Sequence, residues 1–213
     1  MTQWLNRFTL GAAGITVLTL TACLSPTANQ HSTFTRADYR QLERLLQQGE
    51  WQAADRETLV QMLAVADRQK QGWLSAQAIA TFPCEDFATI NRIWQQYSDR
   101  RFGFSIQKRI WEAVGGKPGI YDRQIALKLG ERVGWQKNGQ WQSYNHLTFT
   151  ANAPVGHLPA TTGNGVSGGV WGGVATMAGR VKACATVFDR LPNVLQKKAE
   201  KVVQQHQTAL RAG

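Results

Sequence analysis

From Tyr39 to Val114 the apolar residues recur every three or four positions, and this periodicity commits the first half of the chain to helices. Tyr39, Leu42, Leu45 and Leu46 form one stripe, and Gly49 stands where a helix would stop. Leu59, Met62, Leu63 and Ala66 mark a second helix with an acid-rich start at Asp55 and Glu57, as the helix dipole prefers. After a connection at 69–72, Ser75 offers a cap to a short helix through Ile79, which Pro83 ends. Asp86 is a candidate cap for the next helix, which carries Ile90, Ile93, Trp94 and Tyr97 on one face. Ile106, Ile110, Trp111 and Val114 make a further helix, closed by Gly115-Gly116. Ile125, Leu127 and Leu129 are too sparse to choose between helix and loop.

The pattern changes at 133–144. Asn138-Gly139 between aromatics is a hairpin signal, because both residues tolerate the positive φ of a type I′ turn. A two-residue turn puts Trp135 and Trp141 on opposite faces, a three-residue turn on the same face, and both remain open. A glycine-rich, uncharged run over 161–179 reads as a flexible loop, since its apolar part is short for a membrane span. Residues 180–213 read as a weakly amphipathic basic helical tail. Its Lys182, Arg190, Lys197, Lys198, Lys201 and Arg211 read as a solvated face, with anionic lipid as the alternative. The fold class is therefore mainly α, one helical domain with a small β-hairpin.

Residues 1–22 read as a lipoprotein signal peptide. Arg7 precedes an apolar stretch from Leu10 to Leu20, about half the ~20 residues that span a bilayer. The stretch ends in Leu20-Thr21-Ala22-Cys23, which resembles the bacterial lipobox, so Cys23 is the expected lipidation site. Residues 23–35 then form a lipid-anchored spacer. The expected location is outside the cytoplasm, on a periplasmic or thylakoid-lumen face. There Cys84 and Cys184 could pair as a disulfide or remain two buried thiols.

The formal charge of +10 first suggests nucleic acid, but its distribution argues otherwise. Residues 31–83 carry six basic and six acidic side chains, and residues 180–213 carry seven against two. No run of five basic residues occurs, and no CxxC pair suggests a structural metal. No catalytic set is legible either, so neither nucleic acid, a metal nor an enzymatic activity is expected.

Several phrases in order carry a family resemblance: Tyr39-x-x-Leu42-x-x-Leu45-Leu46, Trp51-x-x-Ala54-Asp55-x-x-Thr58, Phe82-Pro83-Cys84-x-Asp86-Phe87 and Ile90-x-x-Ile93-Trp94. Arg101-Phe102-Gly103-Phe104-Ser105-Ile106-Gln107, Val133-Gly134-Trp135 and Ala153-Pro154-x-Gly156-His157-Leu158-Pro159 complete them. Residues 36–160 thereby resemble the genomes-uncoupled-four family, porphyrin-binding partners of magnesium chelatase in oxygenic phototrophs, including cyanobacteria.

The resemblance implies a cupped-hand helical domain that binds protoporphyrin IX or Mg-protoporphyrin IX without catalysis, in chlorophyll-related metabolism. Such a ligand needs apolar walls and a basic rim for its propionates. Trp73, Leu74, Ile79, Phe82 and Phe149 are the candidate walls, Phe149 standing where the family places a Trp. The family's basic residue after Gly-His-Leu-Pro is missing here, which leaves Arg180 or Arg101 (with its neighbour Arg100) for the propionates. His146 and His157 could ligate a porphyrin metal, but each reads first as a structural or surface histidine. The Phe102-Gly103-Phe104 phrase reads as a tight turn that holds the fold. An exported chain would not meet magnesium chelatase, so the porphyrin ligand and the membrane are the expected partners. The alternative is an envelope interaction module that keeps the fold without the ligand.

Overall fold

In the computed structural model the described residues are 37–160 and 169–189. Six helices run from α1 (Arg40–Gln47) through α2 (Trp51–Val65), α3 (Ala76–Ala80), α4 (Cys84–Tyr97), α5 (Phe104–Ala113) and α6 (Arg123–Arg132). A two-stranded hairpin, β1 (Gln136–Lys137) and β2 (Gln140–Trp141), follows, then a 3-10 turn at Tyr144–His146 and helix α7 (Gly169–Ala183). Residues 185–189 are helical as well.

The local signals act as their chemistry requires. Gly49 takes φ 74° just past α1, where the Glu50 N–H returns to the Leu45 carbonyl at 2.9 Å. Ser75 Oγ accepts the Ala78 N–H at 3.0 Å and so caps α3. The undecided stretch around Leu127 is helical, because Asp122 Oδ1 accepts both the Gln124 and Ile125 N–H groups. The hairpin uses the two-residue turn: Asn138 and Gly139 take φ 52° and 75°, and Gln136 pairs with Trp141. Trp135, one residue out of that register, therefore points to the opposite face from Trp141.

Two expectations are corrected. Asp86 does not cap α4, which begins at Cys84 directly after Pro83. Asp86 lies in the first turn and accepts the Tyr39 hydroxyl at 2.7 Å, tying α4 to α1. Likewise, the loop read over 161–179 is helical from Gly169 onward, and the domain does not end at 160. Glycine costs about 1 kcal/mol per helical position, yet Val174, Ala175, Met177, Ala178 and Val181 bury one face in the common core. Small residues also let α7 approach closely: a Cβ on Gly179 would stand 2.9 Å from Gly119 Cα, and the Gly119 N–H donates to the Ala175 carbonyl at 2.8 Å.

The center of the core is aromatic. Trp51, Trp94 and Phe102 meet edge-on or tilted, and Phe87 stacks on Phe104 at 4.7 Å. The buried Trp94 indole donates to Thr58 Oγ1 at 2.9 Å, and that hydroxyl donates to the Ala54 carbonyl at 2.8 Å, so both of these buried donors are satisfied. Gly103, before α5, has φ 119°, and an added Cβ would lie 2.9 Å from Asn91 Oδ1. Asn91 Oδ1 also accepts the Ser105 N–H, so the Phe-Gly-Phe turn fixes α5 on α4.

Candidate functional site

Of the four aromatic and aliphatic residues expected to wall a ligand along α3, three are core. Leu74, Ile79 and Phe82 are 1%, 0% and 1% exposed, whereas Trp73 keeps 38% of its surface. The cause is the short α3, which presses Ile79 and Phe82 inward against α7 and Phe87. Trp73 is held by Arg68. The Arg68 guanidinium lies 4.6 Å from its ring center while Arg68 Nε donates to the Trp73 carbonyl at 2.9 Å.

Arg180 reaches the same edge from α7, donating from its terminal nitrogen to the Ala80 carbonyl at 2.9 Å. Its Nε is buried without a hydrogen-bond partner among the described residues, and burial lowers the pKa of the guanidinium. An orphan donor on a cation is the chemistry that a carboxylate would satisfy. One helical turn further on, Cys184 is joined to Cys84 with a Cα–Cα distance of 5.3 Å. The two thiols left open by the sequence thus clamp the end of α7 to the start of α4, and with it fix Arg180 beside α3.

Phe149 and Arg101 belong to a second group, built on the segment after the hairpin. Phe149 is half-buried with its ring 5.1 Å from Tyr144. The Tyr144 hydroxyl donates to Asp55 Oδ2 at 2.8 Å, and Asp55 Oδ1 accepts the Ala160 N–H at 2.6 Å. Burial and the Asp55 carboxylate both raise the Tyr144 pKa. Arg101 is spent on the backbone, donating to the carbonyls of Ala151 and Ala153. Arg180 is thus bonded to the end of α3, next to Ile79 and Phe82, whereas Arg101 is bonded to the segment that follows Phe149.

The Gly-His-Leu-Pro phrase is structural. Gln107 Nε2 donates to the Gly156 and Pro159 carbonyls, the Trp135 indole donates to the His157 carbonyl, and the Gly103 N–H donates to the Leu158 carbonyl. His157 is 1% exposed, with Nδ1 facing the Val133 carbonyl at 2.6 Å and Nε2 accepting the Thr148 N–H at 3.1 Å. That pattern requires a neutral ring with its proton on Nδ1, and burial lowers its pKa accordingly. Both nitrogens are occupied, which leaves none for a porphyrin metal. His146 is exposed and pairs with Ser143.

Asp55 is the principal residue missed by sequence reasoning. It is 0% exposed in the interior of α2, whose cap is Glu50, so it does not serve the helix dipole. The only available signal was its place in the Trp51-x-x-Ala54-Asp55-x-x-Thr58 phrase. Arg68 was missed too, because nothing in the linear pattern places it over Trp73.

The signal at 1–22, Cys23, the spacer 23–35 and the tail from 190 onward lie outside the described residues. Among the described residues no group of three or more His, Cys, Asp or Glu is placed to hold a metal ion. No helix among them is long and apolar enough to cross a membrane.

Comparison with known proteins places these features in context. The profile of a family described as GUN4-like matches residues 32–172. The Ycf53-like protein of Synechocystis is 32% identical over 126 residues, covering 57% of this chain and 50% of that protein. The chloroplastic tetrapyrrole-binding protein of Arabidopsis thaliana is 27% identical over 132 residues, covering 56% and 47%. The chain thus matches about half the length of these curated relatives. Among solved structures, GUN4 of Chlamydomonas reinhardtii superposes with a TM-score of 0.56 at 25% identity, over 70% of this chain and 91% of that one. Ligand-free GUN4 of Arabidopsis thaliana gives 0.54 at 24% identity, over 66% and 92%. The helical fold with its small hairpin is the fold of those proteins.

Proposed function

The chain belongs to the GUN4-like family, and from that premise we propose that it is a non-enzymatic tetrapyrrole-binding protein, tethered by lipid outside the cytoplasm. Family membership across 32–172 is the observation that carries the ligand, supported by the name of the Arabidopsis relative. Trp73 offers its free face to a flat macrocycle, and Arg180 offers its unpartnered Nε to a propionate. Leu74, Ile79 and Phe82 form the floor beneath them, and they meet the ligand only if α3 shifts outward. Phe149, beside Tyr144, is a further apolar face. Protoporphyrin IX and Mg-protoporphyrin IX are the proposed ligands. The role is to sequester, sense or deliver porphyrin at a membrane surface, apart from magnesium chelatase. The interaction-module alternative predicts no ligand.

Titrating the full chain with protoporphyrin IX and its magnesium form, while following tryptophan fluorescence, separates these readings. Saturable quenching at micromolar or lower concentration is expected, weakened about tenfold by Arg180→Gln through loss of one charge-assisted hydrogen bond. Quenching no stronger than with an unrelated tryptophan-containing protein would sink the tetrapyrrole reading.

The tether has separate support in the Leu20-Thr21-Ala22-Cys23 phrase and in the Cys84–Cys184 disulfide, since disulfides persist in oxidizing compartments. Cys23→Ser should move the protein from the membrane fraction to the soluble fraction of a bacterial host. Retention in the membrane would show that Cys23 is not the anchor.

A further inference from the structure

Between α5 and α6 the chain makes a tight turn. The Ile120 N–H donates to the Lys117 carbonyl at 3.0 Å, and Gly119 takes the positive φ, 84°, that a type II turn requires after Pro118. Its backbone is fixed from several sides. The Trp111 indole donates to the Lys117 carbonyl at 3.0 Å, and the Gly119 N–H donates to the Ala175 carbonyl of α7 at 2.8 Å. Asp122 Oδ1 then accepts two N–H groups from the first turn of α6. Every residue from Gly119 to Gln124 is exposed, so the turn projects into solvent. On this fixed frame Ile120 and Tyr121 are 59% and 48% exposed. Of the large apolar side chains exposed among the described residues, they are the only pair adjacent in sequence. Two apolar side chains are thus held out in water by a backbone that is itself bonded in place.

Cations accompany that tip. Lys117 and Arg123 flank it in sequence, and Lys182 lies three residues beyond Gly179, on the side of α7 that meets Gly119. All three are exposed, and none has an ion pair among the described residues. The acid within the turn, Asp122, is occupied in capping α6, where the helix dipole offsets its charge. Two exposed side chains fall far short of the roughly 800 Å² per partner of a standard protein interface. A fluid bilayer needs no fitted counterpart. An aromatic ring and an alkyl group enter its interfacial zone while neighboring cations meet anionic headgroups.

We propose that the turn at 117–123 docks the domain on an anionic lipid surface, with Ile120 and Tyr121 in the headgroup zone and Lys117, Arg123 and Lys182 facing the phosphates. Alone the contact is weak. Beside a lipid tether it acts at high effective concentration and sets which face of the domain meets the bilayer. That orienting role rests on the tether reading, whereas the docking itself does not, and it uses none of the residues assigned to the tetrapyrrole.

The test uses the full chain with Cys23→Ser, which carries no acyl anchor, and with Ile120→Cys labeled by the environment-sensitive fluorophore NBD. Cys84 and Cys184 are paired, so the introduced thiol is the only free one. The labeled chain is mixed with vesicles of phosphatidylcholine, alone or together with anionic phosphatidylglycerol. NBD emission should rise and shift to the blue on the anionic vesicles, while the same label at Val60→Cys, 54% exposed on α2, should stay in water. Lys117→Gln/Arg123→Gln should raise the half-saturating lipid concentration about fivefold for each cation removed, the worth of one basic residue at an anionic surface. Arg40→Gln/Arg44→Gln, with the same change in net charge, should leave it in place. Tyr121→Ser should raise it about tenfold through loss of one apolar side chain, with the thermal midpoint unchanged. Vesicle binding that leaves the Ile120→Cys label in water would put the contact at residues 1–22 or in the basic tail and overturn the proposal. An equal response at Val60→Cys, a signal indifferent to phosphatidylglycerol or to Lys117→Gln/Arg123→Gln, or no binding at all would overturn it as well. Fractionation of Cys23→Ser decides the anchor by itself, so the two readings fail separately.

Discussion

Reducing the Cys84–Cys184 bond should lower the stability of the folded chain by about 3–5 kcal/mol, the loop-closure value for a link of this span. The two cysteines are 100 residues apart, and the bond joins the start of α4 to the residue just after α7. In the oxidized unfolded chain that long loop is already closed, so folding loses less entropy. Cleavage restores the freedom without removing any apolar contact of α7. For a domain of this size the thermal midpoint should fall by roughly 10 °C in reductant. The Cys84→Ser/Cys184→Ser variant should start at the reduced midpoint and ignore reductant. Local effects should concentrate beyond Cys184, where Phe188 packs 6.0 Å from Phe87. Arg180 shares that end of the helix and should lose its fixed place beside Ala80, so reduction should weaken porphyrin binding as well. An unchanged midpoint in reductant would mean that the bond does not constrain the chain in solution.

The helices could be read from the sequence wherever an apolar stripe coincided with a terminal signal. Ser75 and Gly49 act locally, through hydrogen bonds to neighbors three to five residues away, and local chemistry is visible in a linear pattern. Helix α7 was illegible for the converse reason. Its glycines speak against a helix one by one, and only the surfaces of α3 and α5 provide the burial that outweighs them. Asp122 shows the limit of apolar periodicity, since the stretch it caps has few apolar residues and forms a helix nonetheless.

The candidate site was less legible than the fold. An apolar residue at helical spacing looks the same whether it faces a ligand or the core, and Ile79 and Phe82 proved to be core. Arg101 and Arg180 were indistinguishable as basic rim candidates, yet one is engaged by two backbone carbonyls and the other retains a buried donor without a partner among the described residues.

Asp55→Ala should be the most damaging substitution of a single polar side chain, costing about 2–5 kcal/mol. The carboxylate is fully buried and accepts from two donors far off in sequence, the Tyr144 hydroxyl and the Ala160 N–H. Alanine removes the acceptor of both donors, and a buried donor without a partner costs about 1–3 kcal/mol. Asp55→Asn keeps one acceptor oxygen and should recover part of the loss. Three readouts separate this account from simple loss of packing. The Ala160 amide should exchange with solvent faster than the amides of α4, because its own bond is broken. The Tyr144 phenol should ionize at lower pH than in the parent chain, because the neighboring negative charge that raises its pKa is gone. Phe149, which leans on Tyr144, should lose its fixed position, so protoporphyrin binding should weaken even below the unfolding temperature. A protein with parental stability and an unchanged Tyr144 titration would show that the segment from the hairpin to Ala160 is held by other means, the bonds from Gln107 and Trp135 first among them.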